Sequence, residues 1–351
     1  MINSSGVELL TKNVKIGDLY RATDGGRIEC FACGHRCKIG EGKDGICKIR
    51  FNKGGKLFVP WGYVSSLALD PVEKKPFFHA LPGSTAMSFG MLGCDYHCSF
   101  CQNWITSQTL RDPHAVSSVQ FISPEDIVAL ARRHKAQIIT STYNEPLITS
   151  EWAVEIFKIA RRDKFVTSYV SNGNGTPEVI EYLFPWIDLI KIDLKGFSEK
   201  KYRELGGVLQ NVLDTIKLVR EKRIWMEIVT LIIPGFNDSV KELEDIADFI
   251  ASVSPDIPWH VTAFHPDYRM TEVSRTPAST VINAVEIGYS AGLHYVYAGN
   301  IPGDLTNREN TYCHSCKELL IERLGFSIIK NKLDEGVCRK CRGVIPGVWK
   351  S

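Results

Sequence analysis

The chain has 351 residues, 44% of them hydrophobic and 23% charged, with a formal net charge of +2. That length supports one large domain with appendages or two ordinary ones, and the near-neutral charge supplies no basic stripe for nucleic acid. No apolar run approaches the ~20 residues that span a bilayer, and Met1 to Gly6 lack the apolar core of a signal peptide. A cytoplasmic protein without a membrane partner is expected.

Eleven cysteines sort by spacing into sets of four, three and four. Metal ligation in a reducing compartment accounts for all of them together. Residues 1–60 form a Gly- and Lys-rich region around the first set, Cys30, Cys33, Cys37 and Cys47. So short a region buries little core of its own, and a bound metal would supply the missing stability. Four thiolates suit either structural zinc or an auxiliary [4Fe–4S] cluster.

Residues 61–85 connect this region to the next domain. Pro71 and Pro76 argue against a helix. The segment is expected to cross the surface of that domain, with Lys74 and Lys75 solvated.

From 86 to 305, apolar strand-like runs alternate with amphipathic helical stretches, the pattern of repeated βα units on a parallel sheet. The predicted strands are 86–92, 137–142, 165–170, 188–194, 224–232 and 259–264, with 294–298 as a candidate seventh. The predicted helices are 124–134, 150–162, 211–222, 239–252 and 278–291. Ser123-Pro124-Glu125-Asp126 reads as an N-cap, a first-turn proline and two first-turn acids. Periodicity alone permits a partial barrel, a full eight-fold barrel or a doubly wound sheet.

Directly after the first strand come Cys94, Cys98 and Cys101, spaced C-x3-C-x2-C. Three thiolates leave a tetrahedral zinc one ligand short, but they suit a cubane cluster in which one iron stays open to an exogenous donor. With Phe100 before the last cysteine, this motif resembles that of the radical SAM superfamily. The resemblance implies a [4Fe–4S] cluster that binds S-adenosylmethionine at its open iron. It also implies an α/β fold, the partial (βα)6 TIM-like barrel.

Further site residues come from the same resemblance. Tyr143-Asn144-Glu145-Pro146, after the second strand, stands where the superfamily carries a Gly-Gly-Glu-Pro-like motif for the cofactor's amino group. Glu145 and Pro146 match it, while Tyr143 and Asn144 replace the glycines. Ser171 and Asn172, after strand three, offer hydrogen bonds to ribose hydroxyls. Asp193 and Lys195, two apart on strand four, share a face, and a similar Asp-x-Lys sits beside the cofactor carboxylate in glycyl-radical-enzyme activases. Ile232, Ile233 or Pro234 would face the adenine. His265 ends strand six as a contact to cofactor or substrate. Residues 297–303 are candidates to line the open side.

Residues 306–351 change character. Cys313-x2-Cys316 and Cys338-x2-Cys341 are separated by 21 residues, a zinc-ribbon spacing. A strand is expected at 325–329, and the apolar end 343–349 is expected to dock on the barrel.

The widest match is to the activating-enzyme-like branch, related to pyruvate formate-lyase activating enzyme, and within it to the radical SAM member of the AmmeMemoRadiSam system. It rests on Asp70 to His79, Cys98 to Trp104, Tyr143 to Pro146 and Trp259 to Pro266. It implies an oxidoreductase that abstracts hydrogen from a protein or small-molecule substrate, a low-potential electron donor and a Memo-like protein partner. The competing expectations are a radical methylase or RNA-modifying enzyme and, from another class, a non-catalytic zinc scaffold.

Overall fold

The computed structural model describes residues 13–301 and 307–350. Its centre is an eight-stranded sheet. Seven strands run parallel in sequence order: Thr85–Gly90, Ile138–Ser141, Val166–Ser171, Leu189–Asp193, Trp225–Ile232, Trp259–Ala263 and Val296–Gly299. They include every predicted strand and the seventh. The eighth strand, Ser66–Pro71, pairs antiparallel with Thr85–Gly90 along one edge. Among the described residues, that edge strand and Val296–Gly299 do not pair, so the sheet curls without closing.

Helices follow the first six parallel strands. Sequential strand order with right-handed crossovers sets them all on one face and leaves the other face inside. Ser123, Thr176 and Ser239 each accept a hydrogen bond from the backbone N–H three residues on, and so start Pro124–Arg133, Pro177–Leu183 and Val240–Val253.

The connecting segment does not run over the surface. Val72, Phe77 and Ala80 are fully buried against Ala86, Ile138, Val166 and Leu189, at the amino ends of the first four parallel strands. They plug the lower mouth of the barrel, because inward-facing apolar residues there have no other cover. Lys75 is also buried, not solvated: it ion-pairs with Asp70 at 2.6 Å, and the half-exposed Lys74 shares that carboxylate at 2.7 Å.

Glu227, wholly buried on strand five, accepts hydrogen bonds from the Phe78 and His79 backbone N–H groups and pairs with His260 at 2.7 Å. The chain end docks on the plug: Val348 N–H donates to the His79 carbonyl, and Leu81 N–H to that of Val348. The C-terminal region is a small sheet of Thr311–Tyr312, Leu319–Leu324 and Ser327–Asn331. Its buried Arg323 donates to the Phe78 carbonyl at 2.8 Å and lies over the Phe78 ring. The domain limits at 305–306, together with Pro302, Gly303 and the start of the 1–60 region, lie outside the described residues.

His79 carries a testable consequence. It lies 2.7 Å from the Pro346 carbonyl through Nδ1 and 2.6 Å from the Tyr297 hydroxyl through Nε2. A carbonyl only accepts, so Nδ1 holds the proton. Burial, which outweighs nearby Glu227, lowers the imidazole to about 4. The unfolded chain therefore binds the extra proton between pH 6.5 and 4, and stability falls as pH drops through that window, by about 3 kcal/mol in all. Urea unfolding at pH 7 and pH 4.5 should give a smaller acid loss for His79→Phe than for the wild type.

Candidate active site

The loop after the first strand is pressed tightly into the fold. Gly93 has φ +91°, and a Cβ there would lie 3.2 Å from both the Cys47 carbonyl oxygen and Ile49 Cγ2. A Cβ on Gly90 would meet the Thr142 carbonyl at 2.4 Å. Glycine is thus required at both close approaches. Tyr96 N–H donates to Cys94 Sγ at 3.4 Å, and Ser107 Oγ lies 3.2 Å from Cys101 Sγ.

Burial pushes the Cys98 thiol up to about 12, against the pull of Lys195, and raises Cys94 and Cys101 as well. These sulfurs become thiolates when a metal replaces the proton. Among the described residues, no three sulfurs of this loop lie within 4.8 Å of one another. Three thiolates without a fourth suit a cubane cluster that keeps one iron open. Asp95, the acid inside the loop, is fully buried and committed to Asn172 Nδ2 at 2.8 Å and Asn174 Nδ2 at 2.7 Å.

One cavity of about 800 Å³ runs from these cysteines down to Phe78 and His260. Tyr143, Asn144, Glu145, Ser171, Asn172, Asp193, Lys195 and His265 all line it, beside Cys94, Cys98 and Cys101. The barrel therefore gathers these eight residues and the three loop cysteines on one cavity, but not Ile232, Ile233 or Pro234.

Their roles within it differ. Glu145 caps the 3-10 turn Pro146–Thr149 through Leu147 N–H and also accepts from Ser171 Oγ at 2.7 Å and Asn172 N–H at 2.7 Å. Three of about four acceptor positions are filled, leaving one for a ligand donor. Burial first, then Asp95, push its carboxyl up to about 8. An ammonium group arriving there would restore the carboxylate. Asn144 bonds the backbone at both ends, accepting from Met91 N–H and donating to the Glu145 carbonyl. Asn172 likewise bonds Asp95 and Asn174. These two hold the loops in place.

Tyr143 turns its hydroxyl to Asp70 at 2.6 Å, under Lys75. Asp193 lies between Lys191 and Lys195; burial opposes its charge, but the two lysines hold it at about 2. Two cations and one anion leave a net positive charge in the cavity wall, suited to a carboxylate ligand. His265 is partly exposed, with Nε2 at 3.4 Å from Gln102 Nε2. Ile232 and Ile233 are buried in the core, and Val229 and Leu231 supply the apolar wall instead.

Sequence reasoning passed over Asp95, Lys191 and Arg275 and took Lys75 as solvated, yet all four lie at or in the cavity. It also missed Gly325 and Phe326, the turn of the C-terminal hairpin, which reaches the cavity rim. Lys191, two residues before the end of Leu189–Asp193, is the one among them that its strand position could have flagged.

At the C-terminus, all four sulfurs of Cys313, Cys316, Cys338 and Cys341 lie within 4.8 Å of one another, with Cys313–Cys341 at 3.6 Å and Cys316–Cys338 at 3.7 Å. A single tetrahedral ion with Zn–S bonds of about 2.3 Å spaces its sulfurs about 3.8 Å apart. This set can hold one metal ion.

No helix among the described residues is long and apolar enough to cross a membrane. Residues 90–250 match the family described as the radical SAM superfamily. An uncharacterized protein of Methanocaldococcus jannaschii is 37% identical over 326 residues, 92% of this chain and 96% of its own. The isethionate sulfite-lyase activating enzyme of Oleidesulfovibrio alaskensis is 24% identical over 48% of this chain and 56% of its own. The (2S)-3-sulfopropanediol dehydratase activating enzyme of Klebsiella oxytoca is 32% identical over 32% and 36%. The chain thus spans about half and about a third of those two relatives. A radical SAM methyltransferase structure from Sphaerobacter thermophilus shares the fold at TM-score 0.50 and 15% identity, over 91% of this chain and 86% of that one. With the cysteine loop and the mostly parallel curled sheet in agreement with that match, the chain carries a radical SAM superfamily domain over residues 90–250.

Proposed function

We propose that this chain is an activating-enzyme-like radical SAM oxidoreductase that abstracts hydrogen from a protein or small-molecule substrate. Cys94, Cys98 and Cys101 would hold a [4Fe–4S] cluster, and S-adenosylmethionine would complete it. When bound, this pair supplies a 5′-deoxyadenosyl radical by one-electron reductive cleavage. The observation that carries the reading is the convergence of three cysteines, the one free acceptor position of Glu145 and the Lys191–Asp193–Lys195 wall on one cavity.

The remaining work falls to the chain. Glu145 receives the cofactor's ammonium, and the excess positive charge beside Asp193 receives its carboxylate. Val229 and Leu231 offer apolar contact to a nucleoside, and the plug at Val72, Phe77 and Ala80 seals the lower mouth against water. Arg275 and the Phe326 hairpin turn, both exposed, line the same cavity and stand available to a substrate. The resemblance of 70–79 and 259–266 to the AmmeMemoRadiSam radical SAM protein extends the reading to a Memo-like partner and a low-potential electron donor. Co-purification with such a partner checks that extension.

The deciding experiment is anaerobic reconstitution with iron and sulfide, then dithionite and S-adenosylmethionine, with 5′-deoxyadenosine quantified by chromatography. Its release supports the reading, and a reconstituted cluster that releases none overturns it. For the C-terminal set the proposed metal is zinc. Cys316→Ser is expected to lose about one zinc per chain by elemental analysis while the barrel iron stays in place.

A further inference from the structure

Two buried histidines near the cavity floor use their ring nitrogens differently. His79, in the plug segment, engages both, at the Pro346 carbonyl and the Tyr297 hydroxyl. His260 engages one. Its Nε2 lies 2.7 Å from Glu227 Oε2, and its Nδ1 makes no hydrogen bond among the described residues. Nδ1 is not one of the sealed polar atoms either, so it opens on the cavity that His260 lines. The ring is otherwise clamped. Phe78 meets it edge-on with centroids 4.8 Å apart, Tyr297 packs at 5.2 Å, and the residue is 3% exposed.

Glu227 fixes which nitrogen carries the proton. Its Oε2 also accepts from Phe78 N–H at 3.0 Å, and its Oε1 from His79 N–H at 2.9 Å and Trp225 Nε1–H at 3.2 Å. With His260, these donors fill the about four acceptor positions of a carboxylate. Burial opposes the charge, but the bond from His260 and the surrounding donors hold the carboxyl below its usual range. An ionised carboxylate only accepts, so His260 bears its proton on Nε2 and presents a lone pair at Nδ1. Anchoring the plug needs no such lone pair. A carboxylate–imidazole pair aimed into a cavity is the arrangement of a proton acceptor. The sheet register sets Val229 opposite His260 and Lys191 opposite Glu227. The pair therefore borders both the apolar and the cationic wall of the cavity.

We propose that Glu227 and His260 form a proton-accepting dyad, and that the substrate is an alcohol or amine whose O–H or N–H, on the carbon that loses its hydrogen atom, is presented to His260 Nδ1. A carbon-centred radical acidifies such a bond, because the unpaired electron is shared with the heteroatom once the proton has left. The O–H or N–H bond then breaks heterolytically and an N–H bond forms at Nδ1. The electron pair stays on the substrate heteroatom, with Lys191 in the wall beside it, and nothing is oxidised or reduced in this step. The imidazolium so formed is held by the charge of Glu227. The substrate class rests on the function proposed above; proton acceptance by the dyad does not.

The test uses the full chain, reconstituted without oxygen, and meta-nitrophenol, an O–H acid that is largely un-ionised in neutral buffer and whose anion is read by its visible absorbance. The wild type is expected to raise the ionised fraction of the probe several-fold. In a chain carrying isotope-labelled histidine, nitrogen magnetic resonance should show Nδ1 of His260 unprotonated at rest and protonated with the probe bound. His260→Gln, whose amide still donates to Glu227, should lose both changes. Glu227→Gln should flip the imidazole to its other tautomer, with the proton on Nδ1, and leave the probe un-ionised. A wild type that does not ionise the probe, that rests with its proton on Nδ1, or that ionises the probe no more than His260→Gln overturns the proposal. Should both variants fail to fold, the resting tautomer and the paired change in probe and imidazole signals of the wild type decide it. A chain that ionises the probe but releases no 5′-deoxyadenosine would sink the radical reading and leave the dyad standing.

Discussion

Cys98→Ala should abolish 5′-deoxyadenosine release and lower the reconstituted iron by about four atoms per chain. Cys98 is the buried member of the trio, and Lys195 acts on it directly. Burial raises the thiols of Cys94 and Cys101 too, so without a metal to replace their protons the two that remain stay neutral. Two ligands cannot hold a cubane that already lacks its fourth. The loss is therefore of the whole cluster and not of a fraction of the rate. Elemental analysis and chromatography of the same sample read both effects. An alanine variant that keeps its iron and its activity would remove the trio from the site.

Glu151→Ala should destabilise the folded chain by about 3–5 kcal/mol. Arg50 and Glu151 are 1% and 3% exposed and meet through two bonds of 2.7 Å. The guanidinium also donates to the Ile148 carbonyl, and Glu151 receives the backbone N–H groups of Asp18 and Leu19. The pair therefore fastens the N-terminal region to the helix Ser150–Arg162. Removing the acid leaves a buried cation without its counter-charge, and its desolvation is then uncompensated. Arg50→Met/Glu151→Leu should cost far less, because both charges leave together. The midpoint of urea unfolding distinguishes the two variants, and equal losses would show that the charge is not the cause.

The barrel was legible because strands of four to eight residues alternate with capped helices, a local pattern that tertiary packing preserves. Ser123, Thr176 and Ser239 announce their helices by chemistry confined to four residues. The cysteine sets were legible by spacing. Burial of the 72–80 plug was not, because its apolar residues follow no helix or strand period. Lys75 looks solvated in sequence, and only the fold brings the end of the edge strand and Tyr143 around it. Asn144 and Asn172 look like ligand contacts in sequence, and only the fold shows that each also ties its loop to a segment distant in the chain. Glu145 before Pro146 could have been read as a cap, since an acid before a first-turn proline is a local signal.

The unpaired gap between Ser66–Pro71 and Val296–Gly299 sets how the interior can be reached. A cylinder laced all round by backbone bonds admits guests through its two ends alone. Here the two end strands are bridged by side chains in place of backbone bonds, with Arg323 on Phe78 and Tyr297 on His79. The edge between those two strands is therefore held by side-chain packing and not by a backbone ladder.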